Sequence, residues 1–274
     1  MTDAAATPPE RDPFTRMMGL EPHGPDTFVG TGPRYPWGGL YGGQIVAQAL
    51  HAAAQTVVPE HRVHSLHAYF IRRGDHSEPV RYEVARTRNG RSFTTRTVEA
   101  RQAVGAILSL SASFQGDEEA PEVQTTTLPE VPSPEGQPSD SWSPAYDRVT
   151  LPPDPETGTA TAWLRLSRRL TGADDTPAVH AAALAYMSDD VPTDAAHVLD
   201  PRGRDAPPES GLVAFSLDHA VWFHRPLRAD EWLLHTATCH GLISSRGLTV
   251  GRVFSAEGTL VATTTQEVLL RPRR

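Results

Sequence analysis

The sequence predicts an α+β fold made of two tandem copies of one unit, a slim helix wrapped by a long antiparallel sheet. Three observations predict it. An alanine-rich helical segment precedes four strand-like runs, the same order returns after a Pro- and Glu-rich stretch, and matching motifs recur at a nearly constant offset. Of 274 residues, 38% are aliphatic or aromatic and 21% charged, enough for a core, while 25 prolines and 21 glycines imply long non-helical stretches.

Residues 1–27 are Pro-rich and polar and read as an arm, with Phe14, Met17, Met18 and Leu20 available to dock on the body. The N-terminal unit spans 28–116. Its helix, Leu40 to Val57, puts Ile45, Ala49, Ala52 and Ala53 at helical spacing, is entered through Gly38-Gly39 and Gly42-Gly43, and is closed by Pro59. Runs 63–71, 79–88, 92–101 and 103–115 follow as strands, with the hairpin signal Asn89-Gly90 between the second and third. Residues 117–158, dense in Pro, Glu, Asp, Ser and Thr, read as a linker. The C-terminal unit, 159–274, opens with Thr161–Arg168, where Ala162, Leu164 and Leu166 alternate with Trp163, Arg165 and Ser167. A helix follows with Thr176 as N-cap and Pro177 in its first position, running to Met187, and then strands at 212–224, 232–240, 246–255 and 258–270.

Ser65-Leu66 through Phe70-Ile71-Arg72 matches Ser216-Leu217 through Phe223-His224-Arg225, and both halves close a Ser/Thr-rich strand with glutamine, Gln115 and Gln266. The offsets, 225 − 72 = 153 and 266 − 115 = 151, differ by one hairpin adjustment. Two unrelated helix-plus-sheet units remain the plainer alternative. A duplicated helix-in-sheet unit is a double hotdog, a pseudo-dimer in one chain, and small helix side chains let the sheet curl closely.

Composition excludes several functions. Lysine is absent, so all 25 basic residues are arginine, and neither Schiff-base chemistry nor a P-loop is available. A net charge of −8 gives no general attraction to nucleic acid or anionic membranes, so an anionic ligand must be held by local arginines or backbone. The single cysteine, Cys239, excludes an internal disulfide or a Cys-rich zinc site and suits a cytoplasmic location. No secretory leader or membrane-spanning run is expected. The missing lysine, the single Asn89 and four isoleucines suggest a bacterial source of high GC content.

The blocks GGLYGGQIVAQAL (38–50), VHSLHAYFIRRGD (63–75), RNGRSF (88–93), SASFQ (111–115), YMSD (186–189), SLDHAVWFHRP (216–226) and VATTTQE (261–267) closely resemble the acyl-CoA thioesterase II family, the TesB-like double hotdogs, from about residue 28 to the end. The resemblance implies hydrolysis of fatty acyl-CoA to free acid and CoA without a cofactor, by an Asp, a Thr and a Gln that fall on Asp189, Ser216 and Gln266. Serine at 216 departs from the pattern, keeping the hydroxyl but losing the methyl that stiffens χ1. The resemblance further implies a homo-oligomer, a dimer or tetramer of double hotdogs.

The residues support that chemistry independently. Asp189 ends a helix, where the negative dipole should raise its pKa toward that of a general base, while its neighbour Asp190 is expected to face water. Ser216 and Gln266 can hold a water or the thioester oxygen. His219, three residues past Ser216, should point to the opposite face of an unbroken strand, which favours attack by water over an acyl-serine. Backbone N–H groups of Gly43 and Gln44 are candidate oxyanion donors, although the glycines are equally read as places of close packing. On the first reading Gly43→Val lowers turnover and leaves the fold intact. His61, His64 and His67 alternate faces and do not suggest a metal site. Arg72, Arg73 and the terminal RPRR read as solvated charge with an optional role in steering CoA phosphates. The rival readings are a hotdog hydratase or dehydratase, which needs a His beside its Asp, and a catalytically weak acyl-CoA-binding regulator, favoured only by Ser216.

Overall fold

The computed structural model describes residues 12–204 and 211–272. The first half contains the short helix α1 (Pro13–Met17), strands β1 (Glu21–Pro22) and β2 (Thr27–Gly30), the long helix α2 (Gly42–Ala54), and strands β3 (His61–Phe70), β4 (Val80–Asn89), β5 (Phe93–Gln102) and β6 (Gly105–Gly116). The second half contains β7 (Tyr146–Thr150), β8 (Thr159–Leu166), helices α3 (Pro177–Met187), α4 (Val191–Leu199) and α5 (Pro201–Arg204), and strands β9 (Leu212–Ser216), β10 (Asp218–Phe223), β11 (Leu233–Ile243), β12 (Arg246–Ser255) and β13 (Leu260–Pro272). Thr176 caps α3 as expected, its side chain accepting from the Val179 N–H.

All strands join one antiparallel sheet in the order β1-β2-β4-β5-β6-β3-β10-β13-β12-β11-β8-β7, with β9 paired to β13. From the centre outward the two halves run β3-β6-β5-β4-β2 and β10-β13-β12-β11-β8, which is the same order of equivalent strands and makes the chain a double hotdog. The halves meet where β3 pairs with β10, in the register Leu66↔Val221. These are the segments whose sequences repeat.

The sheet wraps α2 and α3, whose alanines permit close approach: Ala47, Ala49, Ala52, Ala53, Ala182, Ala183 and Ala185 have no exposed surface. At the contact between the two helices, a Cβ on Gly43 would lie 2.3 Å from the Tyr186 carbonyl oxygen. Of the arm, α1 docks firmly, with Phe14 fully buried and its ring 5.9 Å from Tyr186 in the second half. Residues 1–11 lie outside the described residues. The expected linker also contributes β7, where Tyr146, Arg148 and Val149 are buried and extend the sheet beside β8.

Candidate active site

Asp189 sits at the joint between α3, which ends at Met187 and is capped by Ser188, and α4, which starts at Val191. Its carboxylate is 3% exposed. Oδ2 accepts a hydrogen bond from the Gly43 N–H at the start of α2 (2.8 Å), and Oδ1 accepts from the Ser216 hydroxyl (2.8 Å). Ser216 Oγ in turn accepts from Gln266 Nε2 at 2.7 Å. The three residues expected from the sequence therefore converge, and both halves of the pseudo-dimer hold the same carboxylate.

Burial pushes Asp189 up to about 7, opposed by the donors Ser216 and Gly43 and reinforced by the charge of Asp190. The direction agrees with the sequence reading, but the cause differs. Asp189 follows the negative end of α3 yet also precedes the positive end of α4 and touches that of α2, so burial rather than a helix dipole dominates. Asp190, expected to face water, instead turns inward. It accepts from Tyr146 Oη (2.8 Å), Arg148 Nη1 (2.6 Å) and Trp142 Nε1 (3.4 Å), and Arg148 also bonds Asp194. A sequence cannot indicate this partner, since Arg148 lies in the stretch read as linker.

The Gly43 N–H, expected as an oxyanion donor, is instead spent on the Asp189 carboxylate, and the reading of close packing is the one the geometry supports. A Cβ on Gly42 would meet Asp189 Oδ2 at 2.6 Å and the Phe70 ring at 2.8 Å, and one on Gly43 would strike the Tyr186 backbone. Close approach is required, between two helices rather than helix and sheet, and it is what delivers the Gly43 N–H to Asp189. Gly43→Val therefore does not spare the local fold. The Gln44 N–H, third in α2, makes no hydrogen bond among the described residues. The Gln44 side chain is committed elsewhere: Oε1 accepts from Tyr35 Oη (2.7 Å) and Nε2 donates to Gln48 Oε1 (3.2 Å).

His219 is not on the face opposite Ser216. The register of β9 with β13 pairs Ser216 with Val268, whereas β10 pairs Ala220 with Thr265, so the strand gains one residue at Leu217. That bulge reverses the alternation. His219 is fully buried, its Nδ1 lies 2.7 Å from Gln266 Oε1 and its Nε2 2.9 Å from Ser188 Oγ. Tyr41 was also missed. It occupies the N-cap position of α2 without a side-chain capping bond, its buried hydroxyl has no partner among the described residues, and burial with the nearby Asp189 and Asp190 carboxylates pushes its pKa well above the ordinary range. Its only signal in the sequence was an aromatic residue directly before Gly42.

The other candidates stand apart from this site. His61 bonds Thr94 and the Arg91 carbonyl, His64 bonds Ser113, and His67 packs edge-on against Trp222, so the three share no centre. Arg72 donates to the Ala106 carbonyl and Arg73 to that of Trp37, while Arg273 and Arg274 lie outside the described residues. No helix among the described residues is long and apolar enough to cross a membrane.

The chain matches the model of the acyl-CoA thioesterase N-terminal domain over residues 31–115 and that of the C-terminal domain over 125–270. It is 34% identical to human acyl-coenzyme A thioesterase 8, over 94% of this chain and 88% of that one. It is 35% identical to acyl-CoA thioesterase 2 of Haemophilus influenzae, over 85% and 87%. The crystal structure of acyl-CoA thioesterase II TesB2 from Mycobacterium marinum superposes with a TM-score of 0.81 at 35% identity, over 94% of this chain and 97% of that one. Two halves, each matched in order, on a double-hotdog fold mean that the chain belongs to the TesB-like acyl-CoA thioesterase II family.

Proposed function

We propose that this acyl-CoA thioester hydrolase uses Asp189 as the base that directs a water molecule onto the thioester carbonyl of a fatty acyl-CoA. The carboxylate takes a proton from the attacking water, the new C–O bond forms, the C–S bond breaks, and the proton passes to the departing CoA sulfur. Ser216 and Gln266 fix the carboxylate and hold the water beside it. Gly43 spends its N–H on the base, which leaves the Gln44 N–H at the positive end of α2 for the developing oxyanion, with the Tyr41 hydroxyl as a further donor.

The single observation that carries this reading is a buried carboxylate held by both halves and raised to about 7, ionised enough near neutral pH to accept a proton and basic enough to keep it. Two rivals lose support. Ser216 makes both hydrogen bonds that a threonine hydroxyl would make, so it gives no reason for a weak, binding-only protein. His219 bonds Ser188 and Gln266 rather than Asp189, unlike the Asp–His pair of a hydratase. A thiol-release assay over a panel of acyl-CoAs, on wild type and Asp189→Ala, tests the proposal: the variant should release no thiol above background, and unaltered release would remove Asp189 from the mechanism.

A cytoplasmic location, a bacterial source and assembly into dimers or tetramers belong to the same reading. Cys239 as a lone free thiol supports the first. Light scattering on the purified protein tests the assembly, and a monomer at micromolar concentration would contradict it.

A further inference from the structure

We infer that His219 is a positioning residue that orients the Gln266 carboxamide and thereby sets the direction of the hydrogen bonds that reach Asp189 through Ser216. This rests on the reading of Asp189 as the base.

The position of each proton fixes the direction of the hydrogen bonds. An ionised carboxylate only accepts, so Ser216 gives its hydrogen to Asp189 Oδ1 and its own oxygen must receive one. Gln266 supplies it from Nε2 at 2.7 Å. A carboxamide turned by half a turn has nearly the same shape but exchanges donor and acceptor, so packing alone does not choose its orientation. His219 chooses it. Its Nδ1 lies 2.7 Å from Gln266 Oε1, and with Oε1 there Nδ1 must carry the proton, which leaves Nε2 to accept from the Ser188 hydroxyl at 2.9 Å. One directed chain then runs Ser188, His219, Gln266, Ser216, Asp189, leaving and rejoining the α3–α4 joint at adjacent residues. If the proton moved to Nε2, only the long bond to the Asp189 carbonyl would hold the amide, and a turned Gln266 would present Oε1 to Ser216 and draw the serine hydrogen away from the base.

The surroundings suit a fixed neutral imidazole. His219 has no exposed surface, and burial holds its pKa down to about 4, so the ring stays uncharged wherever Asp189 is ionised. The bulge at Leu217 is what brings it to Gln266, since an unbroken strand would aim it at the other face.

The test compares His219→Leu, which keeps bulk and removes both nitrogens, with His219→Asn, whose amide N–H takes the place of Nδ1–H. The leucine variant should lose about tenfold to a hundredfold in kcat with KM held within about twofold, and asparagine should recover most of that loss. Nitrogen-15 NMR of histidine-labelled wild type should show His219 as the Nδ1–H tautomer, a readout that survives even if a variant fails to fold. An Nε2–H tautomer, a folded leucine variant with wild-type kcat, or equal losses in the leucine and asparagine variants would each overturn the inference. Asp189→Asn in the same assay separates the two claims: thiol release that ignores Asp189 sinks the base itself, whereas dependence on Asp189 with indifference to His219 sinks only the positioning role.

Discussion

Replacing Asp189 with asparagine should abolish turnover and, at pH 8, make the protein more stable. Folded Asp189 titrates at about 7 rather than an ordinary 3.8, so between those values the folded state binds more protons than the unfolded chain. A carboxyl group whose pKa is raised on folding contributes stability that is present below pH 4 and lost as pH rises to about 7. Over about 3 pH units at about 1.4 kcal/mol each, that loss is about 4 kcal/mol. The group is 3% exposed, so solvent screening does little to reduce it. Asparagine removes the buried charge but can accept from only one of Ser216 and Gly43 through its single oxygen, and a stranded donor costs about 1–3 kcal/mol. The net gain at pH 8 is therefore about 1–3 kcal/mol, a rise in Tm of roughly 2–6 °C for a chain of this size. Calorimetry of both proteins from pH 4.5 to 8 provides the assay. The advantage should be largest at pH 8 and shrink toward pH 4.5, where wild-type Asp189 is protonated. No gain at pH 8, or a gain independent of pH, would refute the account of why this carboxylate is basic.

Three other outcomes follow from the same geometry. The kcat/KM of wild type should rise with pH and level off above an apparent pKa of about 7, since the proposed base acts in its ionised form; a flat profile from pH 5.5 to 8 would contradict it. Gly42→Ala, whose Cβ would sit 2.6 Å from Asp189 Oδ2, should lower kcat with little change in Tm because the half-buried Phe70 ring can yield, whereas Gly43→Ala, at 2.3 Å from the Tyr186 backbone, should lose about 1–3 kcal/mol in denaturant unfolding. Arg148→Met should cost about 3–5 kcal/mol by leaving Asp190 and Asp194 without their buried cation, read as a lowered denaturation midpoint.

The features legible in the sequence were those with local or periodic physical causes. Alternation gave the strands, the Thr176–Pro177 cap placed α3, and repetition gave the duplicated sheet, each within a few residues of where it lies. Asp189, Ser216 and Gln266 were legible through ordered blocks of resemblance, and the structure brings them within hydrogen-bonding distance of one another. What escaped depends on register and on contacts distant in sequence. A one-residue bulge at Leu217 leaves no mark in composition, yet it decides which face His219 occupies. Gly43 and Asp189 meet across 146 residues, and Arg148 reaches Asp190 from a strand hidden in a Pro-rich stretch whose composition argues against any strand. Helix α4 was missed because it starts directly after α3 ends, so there is no loop between them to mark a second element.

Asp189 is proposed to activate water and not itself to attack. A single turnover of acyl-CoA in oxygen-18 water, with excess enzyme, tests it most directly, followed by mass analysis of the released acid and of the peptides carrying Asp189 and Ser216. Water attack predicts one solvent oxygen in the acid, none in Asp189, and no acyl adduct on Ser216. Solvent label in the Asp189 carboxylate, released acid without label, or a trapped acyl-serine would contradict it.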